Sequence, residues 1–454
     1  METLHTLFYF TVAIAVLVAF HELGHFWVAR LTGVKVIRFS IGFGKKLWAY
    51  QKNPEQTEFV LSAIPMGGYV KMVDEREGEV AAADLPYAFN RQTVGVRTAI
   101  VAAGPLFNLI LAVCLFWVVM VVGETGLKPI LGDVATGTLA AEAGFQAGDR
   151  IVSVNQKPTP TWAMALDELF SSAIDGQRDI VVDVISREDR KQFRALVLTD
   201  DDVQSPEVLN ERLGLKPFLP VIKPIIGKLL EDGAAKQAGL QTGDLILRAD
   251  DQTIEDWQQW VDYIQAKPDV EIDVTLERNE VQTQIKLTPR KEEQPDGKAV
   301  GKIGAGVEIP EAMMRDLQVE YSLSPLEAIP AAFEKTWFYS LSTVKMIGKM
   351  FVGSASVKNL SGPISIAQYA GQSADMGFVA FLKFLGLISV SLGVLNLLPV
   401  PVLDGGHLLF YLVEVIKGSP VSDRVQMVFQ QMGMLVLMSL MALALFLDLD
   451  RLFQ

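Results

Sequence analysis

The segment His21-Glu22-Leu23-Gly24-His25 combines two imidazoles and one carboxylate in the pattern HExxH. On a helix, residues four apart lie on one face with their β-carbons about 6 Å apart. Both imidazoles can therefore reach one zinc ion at the usual zinc–nitrogen distance of about 2.0 Å. Glu22 directly follows the first histidine, so its carboxylate can take a proton from a water at the metal. The spacing predicts a zinc site with Glu22 as the catalytic base.

A catalytic zinc needs three protein ligands and one open position. A second polar group stands far along the chain, in Asn396-Leu397-Leu398-Pro399-Val400-Pro401-Val402-Leu403-Asp404-Gly405-Gly406-His407. Asp404 is an isolated carboxylate after an apolar run and is the expected third ligand, although an Asp-Gly pair alone usually marks a turn. His407 is expected to support the site rather than to bind the metal. Asn396 either hydrogen-bonds the substrate or its oxyanion, or packs between helices.

Four apolar segments must position these residues. They are about Leu4 to Ala29, Thr98 to Val122, Phe384 to Leu403 and Val428 to Leu447. A helix of about 20 apolar residues spans the hydrocarbon core of a membrane. A charged side chain at the centre of such a helix costs about 2.5–3.5 kcal/mol, so the ionisable cluster in the first segment indicates a functional site. The alternative is a structural pair of buried histidines with a carboxylate partner.

The composition agrees with a membrane protein that carries a soluble insert. Half of the residues are hydrophobic, whereas the formal net charge is −13 and acidic residues concentrate in the middle of the chain. No long basic run is present, so nucleic acid is not an expected partner. The single cysteine, Cys114, excludes an internal disulfide and a cysteine-rich zinc site.

The positions of lysine and arginine predict the orientation, because cytoplasmic loops carry an excess of both. Such residues lie after the first apolar segment and between the third and fourth, among them Lys45, Lys46, Arg91, Lys417 and Arg424. Both loops are expected in the cytoplasm, with the metal site near that face. The region between the second and third segments, and both termini, are expected on the opposite side.

That region contains an internal repeat with an offset of 95 residues. Residues 128–132, Lys-Pro-Ile-Leu-Gly, match residues 223–227, Lys-Pro-Ile-Ile-Gly. The repeat resembles two PDZ domains over about 124–309. PDZ domains add a peptide to a sheet edge and hold its carboxylate in a glycine-containing loop, which the resemblance places at Gly132 and Gly227. The alternative is that both glycines only permit turns and the domains serve as spacers.

Two further regions have their own patterns. Residues 31–96 contain β-rich runs at 40–44 and 59–72 that are apolar on both faces and interrupted by glycines. This loop is expected to touch the membrane and, around Gly68 and Tyr69, either to hold the substrate as an added strand or to form a scaffold hairpin. Within 310–377 the helical pattern carries charges, which predicts an amphipathic helix on the membrane surface.

Several of these motifs together resemble the site-2 protease family of intramembrane zinc metalloproteases. They are HExxH at 21–25, NxxPxPxLDG at 396–405, Gly104 to Asn108, and Leu360 to Ile366. The tandem PDZ domains narrow the resemblance to bacterial members that act in the envelope stress response. The resemblance implies a periplasmic insert in a bacterial inner membrane. It also implies substrates with one membrane span that have already been trimmed, namely anti-sigma factors and remnant signal peptides.

The expected cofactor is Zn²⁺, held by His21, His25 and Asp404, with Glu22 as base. The predicted fold is an α-helical membrane protein with four transmembrane helices, a membrane-associated β-rich loop and two α+β PDZ domains. Its segments are helix 1 in 1–30, the β loop in 31–96, helix 2 in 97–123, PDZ domains in 124–218 and 219–309, the interfacial region in 310–377, helix 3 in 378–403, a cytoplasmic loop in 404–425 and helix 4 in 426–447.

Two other classes of function remain open from the sequence. A membrane scaffold that only presents PDZ domains needs neither HExxH nor Asp404, so metal analysis separates it from an enzyme. An ion or metal transporter would line a path with ionisable residues, whereas here both signatures are expected at one face of the membrane. The insert is expected to act as a size filter for substrates, or to capture a new carboxyl terminus.

Overall fold

In the computed structural model the chain is described over residues 2–53, 55–203, 206–293, 299–308, 311–352 and 362–453. It forms two compact units. The first combines Met1–Glu124 with Ser322–Phe453, and the second is Thr125–Tyr321. The insert therefore ends at Tyr321, twelve residues later than the predicted boundary at 309, because a short helix and a strand follow the repeat within the same unit.

The N-terminal part of the first unit contains two long helices and two long strands. They are α1 Glu2–Leu31, β1 Val36–Tyr50, β2 Glu58–Met72 and α2 Val94–Val122. Helix α1 is longer than the predicted apolar segment at both ends. Helix α2 begins four residues before its predicted segment, since the hydroxyl of Thr93 accepts a hydrogen bond from the Val96 amide and caps the helix.

Strands β1 and β2 both bend, so that they form more than a simple hairpin. Ser40 of β1 pairs with Tyr69 on one side and with Val60 on the other, and Tyr50 near the end of β1 pairs with Phe59. The bends contain Gly42, Gly44 and Gly67, which have positive φ angles of 86°, 87° and 108° that favour glycine. Residues 68–72 form an outer arm of this sheet, whose partners in the described chain lie in residues 36–41 of β1.

The second unit contains the internal repeat. Its elements are β3 Glu124–Leu127, α3 Leu139–Glu142, β4 Arg150–Val154, β5 Lys157–Pro158, α4 Trp162–Ile174, β6 Asp179–Ile185, β7 Lys191–Val197, α5 Pro206–Leu213, β8 Ile226–Leu229, α6 Ala234–Gln237, β9 Leu245–Ala249, β10 Gln252–Thr253, α7 Trp257–Gln265, β11 Ile272–Arg278, β12 Val281–Leu287, β13 Arg290–Glu293, β14 Ala299–Lys302, β15 Ala305–Val307, α8 Glu311–Leu317 and β16 Gln318–Tyr321. The two copies form antiparallel sheets of the same order, β5-β4-β6-β7 and β10-β9-β11-β12.

The chain then returns to the first unit, where residues 322–352 and 362–453 form five helices. They are α9 Ala328–Phe351, α10 Pro363–Asp375, α11 Phe378–Leu397, α12 Asp404–Lys417 and α13 Asp423–Phe453. Two predictions need correction. The third apolar helix ends at Leu397 rather than at 403, since Leu398 adopts an extended conformation and two prolines follow. Residues 404–425, predicted as a loop, contain α12, because an apolar helical pattern begins again at Asp404.

Helices α1, α2, α11 and α13 are long and apolar enough to cross a membrane. Leu17 of α1, Leu111 of α2 and Leu385 of α11 pack into one buried cluster, so these three helices form the frame around the site. Helix α9 packs Ala332 against Ala112 and Phe116 of α2. Its predicted position on the membrane surface stays a prediction, and residues 353–361 of that region lie outside the described residues.

Candidate metal centre

Two helices bring the predicted ligands together. His21 and His25 lie one turn apart on α1, and Asp404 is the first residue of α12. The Nε2 atoms of the two histidines are 3.2 Å apart. Asp404 Oδ2 lies 3.2 Å from His21 Nε2 and 3.5 Å from His25 Nε2. The side chains are only 12–19% exposed, so three ligand atoms converge on one shielded point.

This arrangement fits a zinc ion. Tetrahedral zinc with Zn–N distances of about 2.0–2.1 Å separates two nitrogen ligands by about 3.3 Å, and the two Nε2 atoms are 3.2 Å apart. Asp404 Oδ2 is buried and has no hydrogen-bond donor in the part of the chain that the structure describes. A buried carboxylate oxygen without a donor is costly, and a cation would satisfy it. Three ligands leave the fourth position open, as catalytic zinc requires.

Helix α12 is held where Asp404 can reach α1. Arg97 Nη2, near the start of α2, lies 2.6 Å from Glu414 Oε1 of α12, with side chains only 12% and 13% exposed. The Arg97 guanidinium also lies 5.0 Å from the ring centre of Tyr411. A shielded ion pair is strongly orienting because breaking it leaves an unpaired charge. The pair therefore fixes α12 against α2, and with it the carboxylate at the start of α12.

Helix α2 contacts both histidines, and two of its residues belong to the motif from Gly104 to Asn108. The carbonyl of Ile100 lies 2.8 Å from His25 Nδ1, and the amide of Asn108 lies 3.2 Å from His21 Nδ1. A β-carbon at Gly104 would lie 2.3 Å from His25 Nε2, so only glycine allows this approach. The spacing Gly104-x-x-x-Asn108 was the available signal, because residues four apart share a helix face.

Glu22 is buried, with 9% of its surface exposed, and it faces the outer arm of the β sheet. A β-carbon at Gly68 would lie 2.9 Å from Glu22 Cγ and 2.7 Å from the carbonyl oxygen of Ser40. The arm therefore passes directly beside the predicted base. Next to it, the Tyr69 hydroxyl accepts a hydrogen bond from Arg38 at 3.2 Å, and its ring stacks on Phe43.

The two other polar residues of the C-terminal motif are less closely tied to the site. Asn396 lies half-buried in the last turn of α11. His407 lies one turn after Asp404 and packs edge-on against Phe410. Burial lowers the pKa of the His407 imidazole, an effect that the Asp404 carboxylate only partly opposes.

The structure corrects the expected position of one of the two PDZ glycines, Gly227, whereas Gly132 lies outside the strands and helices. Gly227 lies within β8 rather than in a loop, and a β-carbon there would lie 2.6 Å from the Val307 carbonyl oxygen of β15. Gly132 donates its amide proton to the Lys216 carbonyl, and its β-carbon position lies 2.8 Å from the Pro217 oxygen. Both glycines lie close to a later segment of the chain, and their role in binding a peptide carboxylate stays a prediction.

A groove of about 360 Å³ lies beside β15. Its walls are formed by one face of α7, with Trp257, Trp260 and Ile264, and by residues 301–306 before and within β15. In the described chain β15 pairs only with β8, and Ala305 and Gly306 of β15 line this groove together with Lys228 of β8. An edge strand beside an apolar helix can accept an extended peptide as an added strand.

Known proteins resemble this chain over almost its whole length. The family model for peptidase family M50 matches residues 9–440. A Neisseria meningitidis protein named as a zinc metalloprotease is 44% identical and covers 99% of this chain and 100% of its own length. Proteins named regulator of sigma-E protease RseP, from Salmonella typhimurium and Escherichia coli, are 42% and 41% identical and cover 98% of both chains. A PDZ domain of an SdrC-like protein from Listeria monocytogenes matches 19% of this chain and 92% of its own, at 18% identity; its TM-score of 0.16 is too low to test the PDZ prediction.

Proposed function

Because the chain belongs to peptidase family M50 and is a zinc metalloendopeptidase, we propose that it cuts single-span membrane proteins within the bilayer, near the cytoplasmic face. One observation carries this proposal. The ligand atoms of His21, His25 and Asp404 lie within 4.8 Å of one another, and both histidines belong to a helix long and apolar enough to cross a membrane. A hydrolytic centre at that place acts on peptide bonds that soluble proteases cannot reach.

The roles of the side chains follow from their chemistry. His21, His25 and Asp404 hold the zinc, which supplies Lewis-acid chemistry that polarises the scissile carbonyl and makes water more acidic. Glu22 takes the proton from the attacking water and passes it to the leaving amine. Its burial beside the sheet keeps it close to the substrate backbone. For Asn396, in the last turn of α11, we propose a contact with the substrate chain.

A helical substrate must unwind before hydrolysis, because its amides are otherwise hydrogen-bonded within the helix. The outer arm at Gly68 and Tyr69 is the element we propose for holding the unwound chain as an added strand. Its second edge has no strand partner among the described residues, and Gly68 lies against Glu22. A strand added there would present its peptide bonds beside the base.

For the substrates we propose an anti-sigma factor and remnant signal peptides, each already trimmed outside the membrane. The names of the relatives from Salmonella and Escherichia coli, which refer to sigma-E, support the first. The distribution of lysine and arginine supports an insert on the side away from the cytoplasm, and the bacterial relatives support a bacterial inner membrane, in which that side is the periplasm. The repeated sheets support two PDZ domains, and the groove beside β15 is the site at which the second would bind a peptide.

The test is to co-express wild type or Glu22→Gln with candidate single-span substrates, and to measure both cleavage and bound zinc. Glu22→Gln removes the base but no ligand, so we expect cleavage to fall to background, by at least about 100-fold, while one zinc stays bound. Near-wild-type cleavage by Glu22→Gln would contradict the mechanism. A purified wild type without zinc would contradict the metal site itself.

A further inference from the structure

We propose that Asn108 is the positioning residue for His21: its side-chain oxygen accepts the proton on His21 Nδ1 and so keeps Nε2 free to bind the metal. The inference rests on the proposed ligand set and adds to it. A histidine binds a metal through a nitrogen without a proton, so the other ring nitrogen carries the proton and needs an acceptor. The acceptor therefore decides which nitrogen faces the metal.

For His25, the acceptor of the ring proton is a backbone carbonyl. Its Nδ1 lies 2.8 Å from the Ile100 carbonyl oxygen, and a carbonyl oxygen can only accept a hydrogen bond. The proton of His25 must therefore sit on Nδ1, which leaves Nε2 unprotonated. That Nε2 is the atom 3.5 Å from Asp404 Oδ2. One ligand is thus oriented by the backbone of α2.

His21 depends on a side chain instead. In the described part of the chain, the polar group within hydrogen-bond distance of His21 Nδ1 is the Asn108 amide, at 3.2 Å. An amide offers an acceptor at one end and a donor at the other. In the structure Asn108 Nδ2 faces His21, whereas Asn108 Oδ1 is buried and has no donor among the described residues. A rotation of the Asn108 side-chain amide by half a turn exchanges the positions of Oδ1 and Nδ2.

The metal site selects the turned orientation. If Asn108 donates to Nδ1, the proton of a neutral His21 sits on Nε2, where it blocks the ligand position. If Asn108 Oδ1 accepts, Nε2 is free and lies 3.2 Å from both His25 Nε2 and Asp404 Oδ2. Three acceptor atoms then converge without a proton between them, which is favourable only around a cation.

The position of Asn108 is itself constrained. Its side chain is 1% exposed, and its backbone carbonyl accepts a hydrogen bond of 2.7 Å from the buried hydroxyl of Ser389 on α11. Gly104, one turn earlier, lets this face of α2 approach the histidines. A buried amide that is held by two neighbouring helices cannot move away to solvent, so its contact with His21 is part of the built site.

The experiment compares zinc affinity, by competition with a chelator, in three variants of the full chain. Asn108→Leu removes donor and acceptor at similar volume, and we expect zinc to bind about 10–100-fold more weakly. Asn108→Asp keeps an acceptor, loses the donor and adds a carboxylate charge beside His21, so its affinity should be at least about a third of that of wild type. Thr336→Val is the matched control, because Thr336 is also buried but its hydroxyl bonds within its own helix.

The outcomes separate the inference from the proposed function. Unchanged affinity in Asn108→Leu would overturn the inference while leaving a zinc enzyme intact, and so would an equal loss in Asn108→Asp and Asn108→Leu, since the donor would then be the important group. A wild type that binds no zinc would instead overturn the proposed function. If Asn108→Leu does not fold, the affinity of Asn108→Asp alone still decides between acceptor and donor.

Discussion

The three proposed ligands contribute to one metal centre, but they come from two distant parts of the sequence. His21 and His25 are four residues apart on α1, whereas Asp404 arrives on α12. Each offers one atom, and all three atoms lie within 4.8 Å of one another. Because a three-ligand site loses a third of its coordination when one side chain is removed, each ligand is expected to matter for binding and not only for turnover.

We therefore expect Asp404→Ala and His25→Ala to lose both bound zinc and activity. Elemental analysis of the purified variants should give well under one zinc per chain, whereas Glu22→Gln, purified in parallel, should keep about one. The comparison is informative because the side chains of Asp404, His25 and Glu22 are all partly or fully buried at the metal centre. If Asp404→Ala keeps a full complement of zinc, Asp404 is not the third ligand.

The close approach of α2 gives a second prediction for single residues. Gly104→Ala places a β-carbon 2.3 Å from His25 Nε2, so the ring or the helix must shift. A displacement of about 1 Å at a catalytic group can cost about 100-fold in rate, and we expect a loss of cleavage of that order. Gly95→Ala, in the same helix but with no atom within 4 Å of the new carbon, should cleave normally. Equal activity of both variants would contradict the close approach.

At the scale of single residues, the sequence predicts only relations between residues that are close along the chain. The HExxH spacing is visible because helical periodicity places His21 and His25 on one face. The positioning contacts are not visible in the same way, since the Ile100 carbonyl and the Asn108 amide meet the histidines only through the packing of α2 on α1. A backbone carbonyl has no sequence signature. In the sequence, only Gly104 and Asn108, one turn apart, indicated that this face of α2 contributes to the site.

Among the elements, apolar runs predicted the existence of the long helices better than their ends. The run that includes α11 continues to Leu403, but proline geometry ends the helix at Leu397. The next helix begins at Asp404, after Leu403 has adopted an extended conformation. Hydropathy does not distinguish a single span from a helix, a break and a second helix. The break is nevertheless what puts the Asp404 carboxylate at a helix start beside α1.

The sequence also did not predict which strand edges are covered by the rest of the chain. The repeat predicted two similar domains, and the two sheets have the same strand order. The pattern does not tell which edge of a strand is covered by the chain itself. Pro217 and Val307 pass close to Gly132 and Gly227, whereas β15, among the described residues, has an edge without a strand partner. Edge pairing is decided by long-range contacts, which local composition does not encode.

The helix α7 that lines the groove is tied to the second sheet by Asp250, and this tie should depend on pH. Hydrogen bonds from Lys267, Tyr263 and the Asp273 amide lower the pKa of the Asp250 carboxyl from 3.8 to about 2. A carboxyl with a lowered folded pKa contributes stability above its unfolded pKa and loses it as pH falls. The contribution should therefore be complete above about pH 5 and disappear between about pH 4 and 2.

Asp250→Asn should remove that contribution. Thermal unfolding of the full chain in detergent, followed from pH 6 to pH 2.5, should show a lower midpoint for Asp250→Asn than for wild type at pH 6. The difference should shrink toward pH 2.5. Asp251→Asn, a change at the exposed neighbouring residue, should follow wild type throughout. A difference between wild type and Asp250→Asn that does not vary with pH would mean that the carboxylate charge is not the cause.

For the whole molecule, the orientation in the membrane is open to a direct test. Cysteines introduced separately at Lys45 and Asp201, both exposed positions, are expected on opposite sides, because Lys45 lies in the lysine-rich loop and Asp201 in the insert. Cys114 must first be replaced, as it is exposed on α2. An impermeant maleimide added to intact spheroplasts should label only the cysteine at position 201. Labelling of both cysteines from outside would contradict the proposed orientation.

The division into two units was visible from the composition, since the acidic middle of the chain separates two apolar ends. The end of the insert was not visible from the composition, because α8 and β16 lack the repeat pattern of the preceding residues. The structure gives the boundary at Tyr321 and also shows how the first unit closes without the insert: the Leu323 amide donates to the Met120 carbonyl at 2.8 Å. A short linker can therefore replace residues 125–321.

This closure allows a test of whether the insert filters substrates by size or captures them by a new carboxyl terminus. Two changes separate the ideas. Replacing residues 125–321 by a short linker removes the bulk. Gly306→Trp fills the groove beside β15, since Gly306 lines it and a β-carbon there meets only Lys228, at 3.7 Å or more. Bulky residues at Gly132 or Gly227 would instead clash with the backbone and report only misfolding.

We expect exclusion by bulk to dominate, because it needs only a folded domain joined to the enzyme at two points, whereas capture needs a specific carboxylate contact. The linker variant should then cleave untrimmed substrates at least about tenfold better than wild type, and Gly306→Trp should cleave trimmed substrates within about threefold of wild type, like Val281→Trp at an exposed site on β12. If Gly306→Trp stops the cleavage of trimmed substrates while Val281→Trp does not, the groove is essential. Capture then decides which proteins are cut, and the size filter is wrong.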